Sequence, residues 1–414
     1  MKLKNVWSNH RNYALQLATV FIGFLMFGFS ENVKGPAIPR MQADFHIDEM
    51  QVGTLLSLNS LGYLIACSFT ALLVRRFGIK YISVFSFVFM AFSGILIFLS
   101  HNYTSLAWSY FLMYLGNGML EIALAVLGAR IFIKNTGTMM NLAHFFYGLS
   151  STFAPLIASG LMSLTLFGYT LDWRGMYLII LMLSLIPVIP ALLSKFSEDQ
   201  TAEEDRMPFS QLLKDKAAWL VVIILTFGVI AEMGVGGWLV NFLEKAYGWN
   251  AQSAAGMLSA FFLCFMLARL LLGPFIDRIG FTLSLVILAG FSGICTLIAI
   301  IAGEPGAIFF ALAGIGIAPI YPTVMALIAR RYAKGSDSAI TFTVTLMGIG
   351  NVIGNYLIGV IIDGTKNLHA DTGSDTALRT GLQFGYGFIG LCTFLCALFS
   401  IVLYVYLKKR NELI

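Results

Sequence analysis

The stretch 81-YISVFSFVFMAFSGILIFL-99 is almost wholly apolar and does not alternate between apolar and polar residues. A helix needs about 20 such residues to cross roughly 30 Å of hydrocarbon. A strand of a membrane β-barrel would instead alternate over about 10 residues. The stretch 178-LIILMLSLIPVIPALL-193 does not alternate either. Both stretches therefore predict membrane-spanning helices rather than barrel strands.

The composition of the whole chain favours the same class. Of the 414 residues, 58% are hydrophobic and 11% are charged, whereas a soluble globular protein carries about 25% charged residues. The net charge of +5 is typical of basic residues that collect in cytoplasmic loops, so no nucleic-acid partner is predicted. The cysteines lie in apolar segments and are interpreted as packing residues, not as a metal site. The chain is predicted to be an integral membrane protein in contact with lipid.

The apolar segments predict an all-α fold of twelve transmembrane helices in two pseudo-repeated six-helix bundles. The longest polar break, 195–217, divides an N-terminal bundle, 1–194, from a C-terminal bundle, 218–414, and is interpreted as a cytoplasmic linker. Lysine and arginine concentrate in alternate loops, which predicts a multi-pass protein of the cell membrane with both termini cytoplasmic. The predicted spans are 13–34, 52–74, 81–100, 106–132, 139–163, 175–194, 218–243, 252–275, 283–302, 306–329, 339–362 and 382–407.

The two halves resemble each other. Gly116 to Arg130 in span four matches Gly316 to Arg330 in span ten, an offset of 200 residues, and 72-LLVRRFG-78 recurs as 274-PFIDRIG-280. Two repeated halves are typical of a transporter that rocks about a site between them. The basic and acidic residues at the loops and span ends are predicted to act in gating or structure; they are Arg75, Arg76, Arg130, Arg269, Asp277, Arg278 and Arg330.

This organisation resembles the major facilitator superfamily over nearly the whole chain. The family loop pattern G-x-x-x-D-R-x-G is similar to 273-GPFIDRIG-280, and the first-half copy departs from it by having Arg75 where an aspartate is usual. The resemblance implies alternating access. It does not identify the solute.

Glu121 lies in the otherwise apolar or small run 116-GNGMLEIALAVLGARIF-132. A charge at the middle of a bilayer costs at least about 2.5–3.5 kcal/mol, so such residues usually face a cavity or a partner. The functional interpretation is a carboxylate that faces the central cavity and takes up and releases a proton. The alternative is a neutral glutamic acid that is hydrogen-bonded inside the bundle.

Other charged and aromatic side chains lie within the predicted spans. Glu31 and Lys34 share a helix face near the outer end of span one; they form an ion pair, or Lys34 attracts an anionic substrate. Glu232 in span seven provides a carboxylate in the second half. It is predicted to bind a proton, to bind sugar hydroxyls or to form a structural hydrogen bond. Trp238 stacks on a sugar or belongs to the membrane interface. Arg269 is interpreted as a brace of the cytoplasmic side.

Two polar stripes complete the candidate lining. His144 is three residues from both Asn141 and Tyr147 in span five, so the three share one stripe. The stripe predicts a lining role, and a packing histidine is the alternative. Asn351 and Asn355 are one turn apart in span eleven and line the site or join helices by hydrogen bonds.

Nothing in the sequence indicates catalysis. There is no Walker-type phosphate loop, nucleophile–base pair or metal cluster, so the chain is predicted not to be an enzyme and to need no cofactor. Its energy source is then an ion gradient or the gradient of the solute.

A narrower resemblance is to the fucose permease family of sugar–proton symporters. The pattern G-x-G-x-x-E followed by N-L-x-x-x-F-x-G is shared, and second-half motifs follow in the expected order. The segments are 116-GNGMLE-121, 141-NLAHFFYG-148, 228-GVIAEMGVGGWLVNFL-243, 268-ARLLLG-273 and 321-YPT-323.

This resemblance implies that Glu121 is a coupling or sugar-binding carboxylate. It implies that His144 and Tyr147 occupy the places of amide ligands, and that Glu232 and Trp238 face the sugar from the other half. The span-one aspartate of the family falls at a glycine, residue 35, in this chain. The changed amides argue against fucose itself.

The sequence therefore predicts a monomeric secondary transporter that takes up a sugar or a related polyhydroxylated solute with protons. The alternative is a proton-driven antiporter that exports sugars or amphipathic compounds. Glu121 carries the proton in this hypothesis, with Glu31 or Lys34 in place of the missing aspartate. The remaining lining residues are Asn141, His144, Tyr147, Glu232, Trp238, Asn351 and Asn355.

Overall fold

The computed structural model describes residues 2–132, 136–166, 168–196, 207–332 and 335–412. Within these ranges, 12 helical segments are long and apolar enough to cross a membrane, which confirms the predicted helical membrane fold. The described part also contains one antiparallel pair of two-residue strands, β1 (Thr165–Leu166) and β2 (Tyr169–Thr170).

The chain divides into two compact units. Unit 1 comprises Met1–His46 and Leu58–Gln200, and unit 2 comprises Ile47–Ser57 and Thr201–Ile414. The helices up to residue 196 are α1 (Lys2–Asn32), α2 (Lys34–Phe45), α3 (Glu49–Phe77), α4 (Ile79–Phe98), α5 (Tyr103–Ile131), α6 (Thr136–Ser163), α7 (Trp173–Met182) and α8 (Val188–Leu193). The later helices are α9 (Phe209–Leu212), α10 (Lys216–Tyr247), α11 (Ala251–Leu271), α12 (Gly273–Ile279), α13 (Phe281–Ala302), α14 (Ile308–Ile317), α15 (Ile320–Arg331), α16 (Ser336–Leu368) and α17 (Ser374–Lys409). Short 3-10 turns lie at Leu183–Leu185, Glu304–Gly306 and Ala370–Thr372.

Prolines coincide with breaks inside spans. The first span, His10–Phe45, consists of α1 and α2, with Val33 between them and Pro36 in the first turn of α2. Proline has no N–H to donate, and the first turn of a helix is where that loss is tolerated. Pro187 and Pro319 likewise precede the first residues of α8 and α15. The sequence of each broken span therefore explains its geometry.

The first span extends further than the sequence predicted. The prediction ended it at residue 34 and placed Glu31 and Lys34 near its outer end, whereas the span in the structure continues to Phe45. The prediction was wrong because Gly35 and Pro36 begin a second helix instead of ending the first. Glu31 and Lys34 therefore lie inside the span, with exposed fractions of 6% and 4%.

Apolar side chains lie both inside each unit and on its outer surface. In unit 1, Phe24, Phe87 and Leu124 belong to one buried cluster. By contrast, Phe85 and Phe92 of α4 are exposed. A soluble protein rarely exposes contiguous apolar surface of this kind, so the outer face of α4 is suited to contact with lipid.

Within unit 2, the first turns of α3 lie against the backbone of α16. A Cβ atom added at Gly359 would lie 2.6 Å from the carbonyl oxygen of Glu49 and 3.0 Å from the Cα of Gly53. The buried Glu49 carboxylate is held there by the ammonium groups of Lys245, at 2.9 Å, and Lys366, at 3.3 Å. Glycine at position 359 therefore permits a backbone contact that two ion pairs reinforce.

We expect Gly359→Ala to lower the unfolding temperature in detergent, because the added methyl group meets backbone atoms that cannot rotate away. Overpacking of this kind costs about 1–3 kcal/mol. Gly364→Ala on the same helix is the matched control, since nothing lies within 4 Å of its added Cβ. Alanine is the better helix former by about 1 kcal/mol, so the control should be neutral or stabilising. Equal melting temperatures for the two variants would contradict the close contact.

Candidate functional site

A buried ion pair lies where α1 meets α2 in unit 1. The Lys34 ammonium donates a hydrogen bond to Oε1 of Glu31, which is the first of the two interpretations that the sequence left open. Both side chains are more than nine-tenths buried. Because an isolated charge inside a membrane is costly, each group is stabilised there chiefly by the opposite charge of the other.

Helix α5 supplies the polar surroundings of this pair. The Asn117 amide nitrogen lies 3.5 Å from Oε2 of Glu31, and the Ser30 hydroxyl donates to the Asn117 amide oxygen at 2.7 Å. The Lys34 ammonium lies 5.2 Å from the centre of the Tyr114 ring, within the range of a cation–π interaction. The pair is therefore enclosed by groups that stabilise both charges.

Glu121 lies one turn beyond Asn117 on α5. The Tyr63 hydroxyl, from the part of α3 that belongs to unit 1, donates a hydrogen bond to Oε2 of Glu121. Tyr114, Asn117 and Glu121 are spaced so that they lie along one side of the helix, and we call them the polar face of α5. A separation of four residues corresponds to about 6 Å along the axis. The polar face therefore connects the buried ion pair with a second, half-buried carboxylate.

The predicted stripe of α6 packs on aromatic residues of α1. The His144 ring lies 4.9 Å from the Phe24 ring, and the Tyr147 ring lies 5.1 Å from the Phe27 ring. His144 is exposed, whereas Tyr147 is buried. A Cβ atom at Gly28 would lie 2.6 Å from the Tyr147 carbonyl oxygen, so glycine there permits the close approach of α1 and α6 that holds Tyr147 in place.

In unit 2, Glu232 of α10 faces Arg269 of α11. The Arg269 Nη2 lies 3.9 Å from Oε1 of Glu232, and its Nε donates to the Ala318 carbonyl oxygen at 3.0 Å. The guanidinium carbon also lies 4.3 Å from the centre of the Phe265 ring. Arg269 thus joins α10, α11 and the break before α15, which agrees with a bracing role, and it is a partner of Glu232 that the sequence did not reveal.

Trp238 lies on a different side of α10 from Glu232. Trp238 is 1% exposed and lies six positions further along α10, about 240° around the helix, so the two side chains do not share a face. Its indole N–H has no hydrogen-bond partner among the described residues. On α16, the Asn355 amide nitrogen donates to the Asn351 carbonyl oxygen at 3.1 Å, so these residues bond within one helix.

The predicted gating residues lie near helix ends, and most of their side chains are exposed. Arg75 and Arg76 end α3, Asp277 and Arg278 lie in α12, and Arg330 lies near the end of α15. The side chains of Arg130 in α5 and Asn141 in α6 lie outside the described part of the structure.

A polar cluster at the beginning of α10 was not predicted from the sequence. The Tyr332 hydroxyl donates to Oδ2 of Asp215 at 2.6 Å, and Arg331 lies 3.6 Å from the same oxygen and 2.8 Å from Glu412. Burial of the Tyr332 hydroxyl raises its pKa, and the hydrogen bond to Asp215 raises this pKa further. These contacts fasten the end of α17 to the beginning of α10. Among the residues that the structure describes, no group of three or more His, Cys, Asp or Glu side chains is placed to hold a metal ion.

Sequence reasoning also missed Tyr63, Tyr114 and Asn117. Asn117 was visible as an amide one turn before Glu121 in a small, apolar run. The two tyrosines carried no signal, since the chain has 16 tyrosines and only the rotation of each helix selects those that face the carboxylates.

Two curated proteins resemble the chain at low identity. It is 24% identical to bypass of stop codon protein 6 of Saccharomyces cerevisiae over 298 residues, which cover 64% of this chain and 57% of the yeast protein. It is 17% identical to a TsgA homolog of Buchnera aphidicola over 349 residues, which cover 83% of this chain and 87% of that protein.

Solved transporter structures share the fold. A bacterial homolog of the human lysosomal transporter Spinster has a TM-score of 0.79 at 13% identity, covering 96% of this chain and 98% of its own. A D-xylose–proton symporter has a TM-score of 0.75 at 14% identity, covering 94% and 96%. The fucose–proton symporter of E. coli has a TM-score of 0.63 at 19% identity, covering 95% and 99%.

The family assignment rests on the sequence itself. The sequence model of the Major Facilitator Superfamily matches residues 20–355 and 230–413, which together include both units and all the helices that carry the candidate residues. The chain therefore belongs to the Major Facilitator Superfamily of membrane transporters.

Proposed function

We propose that this transporter takes up a sugar or a related polyhydroxylated solute together with protons, by alternating access. The observation that carries the proposal is the polar face of α5, where Glu121 is half-buried and hydrogen-bonded to Tyr63 in an apolar span. A carboxylate at such a place exchanges protons with water while it remains close to a buried charge pair. The D-xylose and fucose symporters of the same fold support the choice of a sugar.

The candidate residues described in unit 1 have the following roles in this proposal. Glu121 carries the coupled proton, and Tyr63 positions its carboxylate. Glu31 and Lys34 take the place of the aspartate that fucose permeases have in the first span. His144, with Tyr147 beside it, lines the solute path with aromatic and hydrogen-bonding surface. The protein would act as a monomer in the cell membrane, with both termini and the linker 195–217 cytoplasmic.

The test is substrate-induced proton movement in proteoliposomes. Purified protein is reconstituted in vesicles with a pH electrode outside, and neutral hexoses, pentoses and their acids are added one at a time. We expect external alkalinisation with a solute of this class and no response in vesicles without protein. Acidification on addition of amphipathic amines or glycosides would indicate an antiporter. A lack of response to every hydroxylated solute would overturn the proposed symport.

A further inference from the structure

The site contains a cation that a neutral sugar does not require. Sugar hydroxyls are bound by carboxylates, amides and aromatic rings, all of which the polar face of α5 and its neighbours provide. Lys34 adds a positive charge that is 96% buried by area, with an exposed fraction of 4%, inside a membrane span. Such a residue is costly and therefore marks a functional site by default.

We propose that Lys34 binds the carboxylate of the transported solute, so that the substrate is a hydroxylated acid, such as a uronate or an aldonate, rather than a neutral sugar. This inference rests on the proposed function and deepens it. The ammonium is held now by Glu31, and the solute carboxylate takes the place of that side chain. Glu31 leaves the ion pair as a neutral acid after it takes up a proton.

The exchange balances in charge and in protons. One proton moves from water to a carboxylate oxygen of Glu31, and one carboxylate moves from water to Lys34, so the site has no net charge before or after. If Glu31 were protonated beside a neutral sugar, the buried ammonium would have no counter-ion, which is strongly unfavourable. Binding of an anion and binding of a proton at Glu31 therefore favour each other.

The groups around Glu31 permit this change. Lys34 is the cation that faces it. The Asn117 amide lies 3.5 Å away. The Tyr114 hydroxyl of α5, which makes no hydrogen bond to the described residues, lies within the electrostatic environment of the carboxylate. From α7, Tyr177 contributes a further hydroxyl whose environment includes the charge of Glu31. The neutral acid keeps the Asn117 amide as a hydrogen-bond partner, so the released side chain is not left without a polar contact.

The position of Glu121 suits the rest of such a solute. It lies about 6 Å along α5 from Asn117, which is the scale of one monosaccharide. A carboxylate bound at Lys34 would direct the hydroxyl groups along the polar face of α5 towards Glu121 and Tyr63. The two ends of the site therefore recognise two different parts of one molecule, its charge and its hydroxyls.

The first part of the test compares solutes that differ only in the carboxylate. Proton-driven uptake is measured for galactose and galacturonate, glucose and glucuronate, and the aldonates galactonate and gluconate. We expect at least one acid to enter at least tenfold faster than its neutral counterpart. Uptake of the neutral sugars alone would overturn this inference and leave the proposed function intact. A lack of proton-driven uptake for every compound would overturn both.

The second part tests Lys34 and Glu31 by equilibrium binding of the preferred acid between pH 6 and pH 8. In a Glu121→Gln background, the Kd should rise with pH, by up to about tenfold per unit for one linked proton. Adding Glu31→Gln should give tight binding without that rise, a gain that misfolding cannot produce. His144 of α6 is a further ionisable side chain, but it is present in both variants and cancels in the comparison.

Lys34→Gln should weaken binding of the acid at least tenfold, and Lys34→Arg, which keeps the charge, should retain most of it. Unchanged affinity in Lys34→Gln would overturn the assignment. A pH dependence that persists unchanged in Glu31→Gln would also overturn it, because the proton would then be bound elsewhere.

Discussion

Glu121→Gln is expected to abolish the uphill accumulation that is driven by the Glu121 proton, while leaving exchange of labelled for unlabelled solute in place. Glutamine has nearly the same shape and still accepts the Tyr63 hydrogen bond, but it stays neutral at every pH. The variant is therefore held permanently in a state that resembles the transporter with Glu121 protonated. Exchange requires only that loaded carrier, whereas accumulation requires Glu121 to release its proton on the other side of the membrane.

The size of the effect follows from the gradient. One pH unit is worth about 1.4 kcal/mol per proton, so a carrier coupled to one proton supports about tenfold accumulation across it. In Glu121→Gln the accumulation ratio should lose the factor that this proton contributes. For a neutral solute the ratio then falls to one, whereas for an acidic solute only the proton bound at Glu31 still drives accumulation. The measurement is solute uptake in proteoliposomes with and without an imposed pH gradient, beside counterflow with preloaded vesicles.

Two variants serve as controls for this result. Asp371→Asn removes an exposed carboxylate between candidate spans and should accumulate solute normally. Tyr63→Phe removes the hydroxyl that donates to Glu121 but keeps the carboxylate, so it should reduce the rate and retain accumulation. Normal pH-driven accumulation in Glu121→Gln would show that the coupled proton is carried elsewhere, and the loss of both accumulation and exchange would indicate a binding defect instead.

The charged residues of the candidate site could be found in the sequence because each interrupts an apolar run. Glu121, Glu31 and Lys34 are visible for that reason, and the spacing of the last two predicted their ion pair. The partners of the carboxylates could not be found in the same way. Tyr63 and Arg269 lie on other helices, and span prediction does not give the rotation or depth at which two helices meet.

The helical membrane fold was predictable from the length of the apolar segments. The error in the predicted end of the first span arose at a glycine and a proline. The first span was predicted to end at residue 34, immediately before 35-GP-36. In a membrane, the next helix can begin at once, because proline is tolerated in its first turn. This single misplacement moved Glu31 and Lys34 from the interior of the span to its edge, where a charged pair is less costly.

Because Glu31 and Lys34 lie inside the span, removing one of the two charges is expected to have a large effect on stability. Lys34→Met is expected to lower the unfolding temperature more than either the double variant Glu31→Gln/Lys34→Met or an exposed control. Removing one partner of a buried ion pair leaves an uncompensated charge and costs about 3–5 kcal/mol, whereas replacing both partners is often nearly neutral. The control is Arg410→Met, which breaks the exposed pair of Arg410 and Glu412, 3.7 Å apart; such surface pairs contribute about 0–1 kcal/mol.

The unfolding temperatures of the four proteins are measured in one detergent. Their order tests the prediction even if unfolding is irreversible. Wild type and the Arg410→Met control should unfold close together, the double variant slightly below them, and Lys34→Met clearly lowest. Near-equal transitions for Lys34→Met and wild type would contradict a strongly stabilising charge pair between Glu31 and Lys34, the pair in which the solute carboxylate is proposed to replace Glu31.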